Sequence, residues 1–467
     1  MVFSNAEYLF FFLIVFTSYW LLPSNKTRKI FLLVSSYAFY AAWNPKFCFL
    51  MFLSTTVDYV IGCKVATSQQ KKLLLRISVA TNLGILGFFK YHDFFIESFV
   101  KLLSVLGIDI HVATLHIILP VGISFYTFQS MSYTLDIYRG KISPTGSFLD
   151  FALYVSFFPQ LVAGPIVRAA FFLRQLNKKR EFREENIFYG FKLFFIGYIK
   201  KVYFADYIGL NFVDPVFNDI SQHSASALVL ASIGFGIQIY GDFSGYSDMA
   251  RGSARLLGYN LPINFNFPYH ATSISEFWRR WHISLSTFLR DYLYIFALGG
   301  SKFGRTRTLV NLFITMFLGG LWHGASWNFV LWGGFHGILL VVEHQIKNLE
   351  FPYFNFFSIL GRWLFTFILV HVGWILFRVT DIVEIFEVFE KVFTWSDGDI
   401  YFTNHLLFLY VISFVILIIR IKPAYRIWSL LFIRTPLTVK AILFFIIITF
   451  VLLISGEKSP PFIYFQF

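Results

Sequence analysis

Histidine 323 lies in Trp322-His323-Gly324-Ala325-Ser326-Trp327, inside an apolar stretch that runs from Thr308 to Lys347. A titratable side chain within a membrane-spanning stretch is costly, so it marks a functional site by default. Gly324 and Ala325 permit close backbone approach. Trp322 and Trp327 supply apolar walls around the ring. A neutral imidazole in such surroundings suits a general base. A core histidine bonded to a neighbouring helix is the competing reading. A second segment, Phe277-Trp278-Arg279-Arg280-Trp281-His282-Ile283-Ser284, crowds two Arg, two Trp and a His together. Trp and Arg by themselves suit a membrane interface, which leaves His282 unexplained. On one helix, Arg279 and His282 would share a face at i, i+3. Arginines beside a histidine suit a phosphorylated or carbonyl-bearing ligand. His336 follows in the returning arm, with a helix-packing bond as its plainer explanation. His344 and His371 read as structural or interfacial.

The elements that must position these residues are membrane helices. The chain has 467 residues, of which 57% are hydrophobic, 21% aromatic and only 14% charged. Its mean hydropathy is +0.64. Soluble domains carry about 25% charged residues. The net charge of +13 sits in short loops, where Lys and Arg set orientation and meet lipid head groups. Nucleic acid is therefore not a partner. Cys48 and Cys63 offer neither metal-ligand spacing nor a disulfide framework. The first apolar run, Tyr8–Leu22, reads as a retained span.

Candidate spans are Tyr8–Leu22, Ile30–Ala42, Phe47–Gly62, Leu73–Phe89, Phe94–Leu106, Thr114–Tyr133, Phe148–Ala163, Phe188–Leu210, Ala227–Gly241, Leu309–Leu321, Trp327–Val342, Phe357–Phe377, Leu406–Ile421 and Ala441–Ile454. Several fall short of the roughly 20 residues a perpendicular span needs, so about 10 to 13 crossings are expected. Basic loops at Lys26–Lys29, Lys64–Arg76, Arg168–Arg183, Arg251–Arg307 and Arg420–Lys440 place those loops in the cytoplasm and both termini outside. Arg139–Lys141 and Arg168–Arg183 are both basic, yet one short apolar stretch separates them. Phe148–Ala163 is therefore expected to enter and return, or to lie in a cytoplasmic-side vestibule. Arg251–Arg307 suits amphipathic or re-entrant helices lining a cavity. Thr308–Lys347 reads as a hairpin with its break near His323. Asp242 and Asp248 interrupt a span end and are expected to pair with the Arg-rich segment. Asp381–Thr394 reads as an amphipathic helix on the outer leaflet, with partner docking as the rival.

No Gly-x-Ser-x-Gly elbow, His-Glu-x-x-His zinc motif or phosphate-binding Gly-x-x-x-x-Gly-Lys-Ser/Thr is present. A histidine-based acyl transfer remains a reasonable chemistry. Taken in order, Pro120–Gln129, Leu161–Arg168, Gln238–Gly252, Asn264–Ser286, Gly319–Trp327 and the terminal Phe462–Phe467 resemble the membrane-bound O-acyltransferases, in particular their bacterial alginate O-acetyltransferase branch. The resemblance spans nearly the whole chain. It implies one membrane domain over 1–467, an all-α polytopic ring of tilted helices with re-entrant and amphipathic helices around a funnel, and a catalytic segment over 251–345. It implies that His323 is the catalytic histidine and His282 the second active-site position. Arg280, Trp281, Trp322, Ser326, Asn328 and His336 follow as candidate substrate contacts. It further implies no bound cofactor or metal, acetyl-CoA as acyl donor from the cytoplasm, and a polysaccharide acceptor. A periplasmic partner of the SGNH type and a location in the bacterial inner membrane complete the implied setting. Peptidoglycan O-acetylation and teichoic-acid D-alanylation are alternatives within the family. A transporter is the rival class, but no internal repeat supports it.

Overall fold

A computed structural model describes residues 3–348 (except 111, 113, 116 and 163), 359–400, 402–418, 435, 439, 462 and 463. The expected span Ala441–Ile454, and most of the C-terminal stretch, lie outside the described residues. Among the described residues there are helices and no strands, apart from an isolated bridge between His223 and Asp399.

In chain order the helices are α1 (Ala6–Leu21), α2 (Asn25–Ala41), α3 (Lys46–Thr67), α4 (Lys71–Val105), α5 (Ile123–Tyr138), α6 (Phe148–Ser156), α7 (Phe158–Leu161), α8 (Ala169–Leu176) and α9 (Glu184–Tyr198). They continue with α10 (Asp214–Asn218), α11 (Ala225–Leu256), α12 (Ile274–Arg280), α13 (Ile283–Phe288), α14 (Arg305–His323), α15 (Trp327–Asn348), α16 (Ile359–Arg378), α17 (Ile382–Thr394) and α18 (Asn404–Ile418). Helices α3, α4, α11, α15 and α16 are long and apolar enough to cross a membrane. The protein is thus an all-α, multi-pass membrane protein. Its outer face exposes rings and aliphatic chains such as Phe49, Leu83, Phe99, Ile338 and Phe365, as a lipid-facing surface does.

Several expectations change. Leu73–Phe89 and Phe94–Leu106 are not two spans but one helix, α4, of 35 residues. Lys90, Tyr91 and Asp93 do not break it, because each finds a partner on a neighbouring segment. The polar island Tyr240–Asp248 does not end a span either, since α11 runs through it for 32 residues. Asp242 and Asp248 do not pair with Arg279 or Arg280. Lys201 bridges Asp206 (2.7 Å) and Asp242 (2.9 Å), while Lys200 and Arg251 hold Asp248 at 2.7 and 3.0 Å.

Glycine spacing explains the change of partner. Gly190 and Gly197 on α9 face Gly252 and Gly245 on α11, with the same seven-residue step on each helix. A Cβ on Gly245 would sit 2.6 Å from the Gly197 carbonyl oxygen, and one on Gly252 would sit 2.6 Å from that of Gly190. Such small-residue faces let backbones touch inside a membrane. The contact brings the continuation of α9, the π-helical turns Ile199–Asp206, alongside Asp242 and Asp248.

The Phe148–Ala163 stretch holds two short helices, α6 and α7, in place of one long one. Residues 150–162 are all buried. Ser36 Oγ accepts from the Phe158 amide at 3.1 Å, and Tyr154 donates to the Val167 carbonyl at 2.8 Å. Protein groups therefore satisfy the irregular backbone, the condition under which a membrane fold tolerates it. The Thr308–Lys347 hairpin and the Asp381–Thr394 helix form where expected. The α17 helix buries Ile385 and Val388 and exposes Val383 and Phe386.

Because the α9–α11 contact has no room, Gly245→Val should overpack it by about 1–3 kcal/mol and lower the melting temperature of the detergent-purified protein. Gly334→Ala is the control. Nothing lies within 4 Å of its added methyl, so its melting temperature should hold or rise.

Candidate active site

Helix α14 carries His323 as its last residue. The helix stops because Gly324 is extended, at φ −160° and ψ 156°, and Ala325 and Ser326 turn the chain into α15. The two arms of this hairpin touch at Gly320 and Gly333, where a Cβ on Gly320 would lie 2.8 Å from the Gly333 Cα. The His323 ring is 6% exposed for the whole residue. It meets Trp322, Trp332 and Phe377 edge-on, with centroids 5.1, 5.0 and 5.4 Å away.

His282 reaches the same place by a different device. Helix α12 begins with Ser273 Oγ accepting from the Glu276 amide, and the Glu276 carboxylate accepts from the Thr272 amide at 2.9 Å, one residue before the N-cap. The helix ends at Arg280, Trp281 is extended, and His282 adopts φ 41° and ψ 55° before α13 begins. This corrects the expectation that Arg279 and His282 share a helical face, for no helix joins them. A left-handed non-glycine residue costs of order 1–3 kcal/mol and persists only where its surroundings impose it. Asn264 does so here. Its carbonyl oxygen accepts from the Ile283 amide (2.8 Å), and its Oδ1 accepts from the Ser284 amide (3.1 Å) and Ser284 Oγ (2.9 Å). Its Nδ2 donates to Ser247 Oγ on α11.

The His282 ring lies 4.6 Å from that of Phe243 and 5.8 Å from that of Trp322. Trp322 therefore stands against both imidazoles. His282 is fully buried, and neither ring nitrogen has a hydrogen-bond partner among the described residues. Buried polar atoms are usually satisfied, so an exception asks for a reason. Both nitrogens of this ring are unspent on the described residues.

The other candidates divide. Trp322 is a wall of the site, packed on Phe125 and Phe128 as well. His336 adjoins it, with Trp332 between its ring (4.9 Å) and that of His323. Arg280 is engaged elsewhere: Nε and Nη2 donate to Glu276 at 3.0 and 2.7 Å, and Nη1 donates to the Asn266 carbonyl. Trp281 packs into the core against Trp374 at 4.8 Å. Asn328 ties α15 to α16 by donating to the Phe377 carbonyl at 3.1 Å. Ser326 lies at the hairpin turn, its carbonyl accepting from the Val330 amide. His371 is structural, with Nδ1 2.8 Å from the Phe367 carbonyl.

Four contributors were not singled out in the sequence: Asn264, Phe243, Trp332 and Lys90. Lys90 was legible as a cation within an apolar run, but it passed for a loop residue between two spans. The left-handed turn at His282 left no such trace.

Residues 142–382 match the profile of the membrane-bound O-acyltransferase family, MBOAT. The chain is 37% identical to the protein named "Probable alginate O-acetylase AlgI" of Pseudomonas putida, over 100% of both chains. The same-named protein of Azotobacter vinelandii is 40% identical over 85% of this chain and 79% of its own. A peptidoglycan O-acetyltransferase of Helicobacter pylori is 36% identical over 84% of this chain and 79% of its own.

Replacing Asn264 by Leu leaves the Ser284 amide buried and unpaired, which costs about 1–3 kcal/mol. Asn264→Leu should therefore lower the melting temperature of the detergent-purified protein below that of the wild type. An unchanged melting temperature for Asn264→Leu would contradict its role in holding the turn.

Proposed function

The chain belongs to the membrane-bound O-acyltransferase family, and from that premise we propose that it carries an acetyl group from cytoplasmic acetyl-CoA to hydroxyls of an exported or cell-wall polysaccharide. An extracytoplasmic partner of the SGNH type would complete delivery. The protein is an O-acyltransferase; the donor, the acceptor and the partner are our reading.

The observation that carries this reading is the pair of buried imidazoles on Trp322, one of them with both nitrogens uncommitted. In the proposed step the acceptor oxygen attacks the thioester carbonyl carbon and gives its proton to His323. The carbon–sulfur bond then breaks, and the thiolate leaves with that proton. His282 donates to the carbonyl oxygen as negative charge develops there. General-base help of this kind is worth roughly 10²–10⁴-fold. Trp322, Trp332, Phe243 and Phe377 keep water from competing with the acceptor.

Depth supports access for an acceptor from outside. With Arg305 in a cytoplasmic basic loop, His323 lies 18 residues along α14, about 27 Å at 1.5 Å per residue. A hydrocarbon core is about 30 Å thick, so the imidazole stands near the far side, where an outside acceptor enters. The same loop charges put both termini outside and suit a bacterial inner membrane. Arg280 is not assigned a role at the carbonyl, because Glu276 occupies it. Peptidoglycan is the second acceptor reading, favoured by the Helicobacter pylori relative.

In a strain lacking the gene, His323→Ala should restore no O-acetyl groups to exported or wall polymers, while the variant reaches wild-type abundance in the membrane. Alkali-released acetate measures this. Wild-type acetylation by that variant would refute the assignment. His282→Ala should lower acetylation at least tenfold, about 1.4 kcal/mol of barrier.

A further inference from the structure

A helix ends with carbonyl groups that have no partner in the helix itself. At the end of α14 those carbonyls belong to the residues that set the aim of His323. Helix α4 supplies their donors. Tyr91 donates its hydroxyl to the Leu321 carbonyl at 2.7 Å. The Lys90 ammonium donates to the Trp322 carbonyl and, at 3.1 Å, to the His323 carbonyl.

Lys90 also stands over two rings. Its nitrogen stands 5.8 Å from the Trp322 centroid and 6.0 Å from that of Tyr91. No carboxylate pairs with it among the described residues. A lysine within an apolar span costs a few kcal/mol, and ion pairing does not offset that here. A cation at a helix C-terminus, bonded to its last carbonyls, is the compensating interaction. The Phe329 ring closes the space beside Gly324, where a Cβ would come within 2.2 Å of it. The main chain at His323 is thus held by the α4 donors and by this packing.

We propose that Lys90, assisted by Tyr91, is a positioning residue for the acyl transfer. It fixes the main chain of His323 and through it the aim of the imidazole toward Trp322, which His282 also contacts, without itself touching substrate. The inference rests on the reading of His323 as the base. It explains why a lysine lies within α4 where a leucine would cost nothing.

The test uses a strain lacking the gene, complemented with tagged variants. O-acetyl groups on exported and wall polymers are measured per amount of membrane protein. A misplacement near 1 Å costs about 10²-fold in rate, so Lys90→Met should lose about that much. Lys90→Arg keeps two donors for two adjacent carbonyls and should recover at least about a tenth of wild-type acetylation. Tyr91→Phe removes one bond, about 1 kcal/mol, and should lose several-fold. Wild-type acetylation by Lys90→Met overturns the proposal, as does Lys90→Arg proving no better than Lys90→Met. If Lys90→Met fails to reach the membrane, Tyr91→Phe decides: reduced acetylation supports the clamp and wild-type acetylation overturns it. His323→Ala run in parallel separates the two claims. Inactive His323→Ala with active Lys90→Met defeats the clamp alone, whereas active His323→Ala defeats the reading of the base.

Discussion

Hydrocarbon offers no hydrogen bonds, so each polar group that this chain carries into the membrane needs a partner from the chain itself. That constraint organises the structure. Asp58 is fully buried and takes Ser78 at 2.6 Å and Asn82 at 2.8 Å, which in turn tie α3, α4 and α5 together through Thr134 and Ser130. Lys201 takes two aspartates. Glu343 on α15 accepts from the amide and hydroxyl of Ser275, at the first turn of α12. His282 is buried with neither ring nitrogen bonded among the described residues, as is the side-chain amide of Gln129.

The α9–α11 contact and the site are mechanically connected. Glycines bring the two helices together, and Lys200 and Lys201 then neutralise the acidic stretch of α11. That stretch also presents Phe243 to His282 and Ser247 to Asn264. The backbone amide of Ile463 donates to Asp242 at 2.6 Å, so the C-terminal end of the chain is fastened at the same place. The His282 turn is therefore built on α11, a helix whose approach to α9 is set by glycines outside the site.

Sequence reading recovered the features that have a local signature. The hairpin at His323 was visible because two apolar runs meet at Gly-Ala-Ser between tryptophans. The amphipathic α17 was visible from its alternating Glu and apolar residues. Features set by tertiary contact were not. Arg280 looked like a ligand holder until Glu276, four residues earlier, proved to hold it. Lys90 looked like a loop because its partners are carbonyls of residues far along the chain. Asp242 found lysines rather than arginines because helix approach is decided by glycines whose pairing cannot be read from one strand of sequence. The left-handed turn that aims His282 depends on Asn264, and no propensity announces it.

The central claim is that one buried site joins a thioester on one side of the membrane to an alcohol on the other. The most direct measurement is vectorial transfer in proteoliposomes that hold the protein in a single orientation. Radiolabelled acetyl-CoA is supplied only on the face bearing the basic loops, and de-acetylated polymer, with its extracytoplasmic partner, only on the opposite face. The account predicts label on the polymer together with stoichiometric release of free CoA on the donor side. Label that never crosses, with the thioester intact, would contradict it.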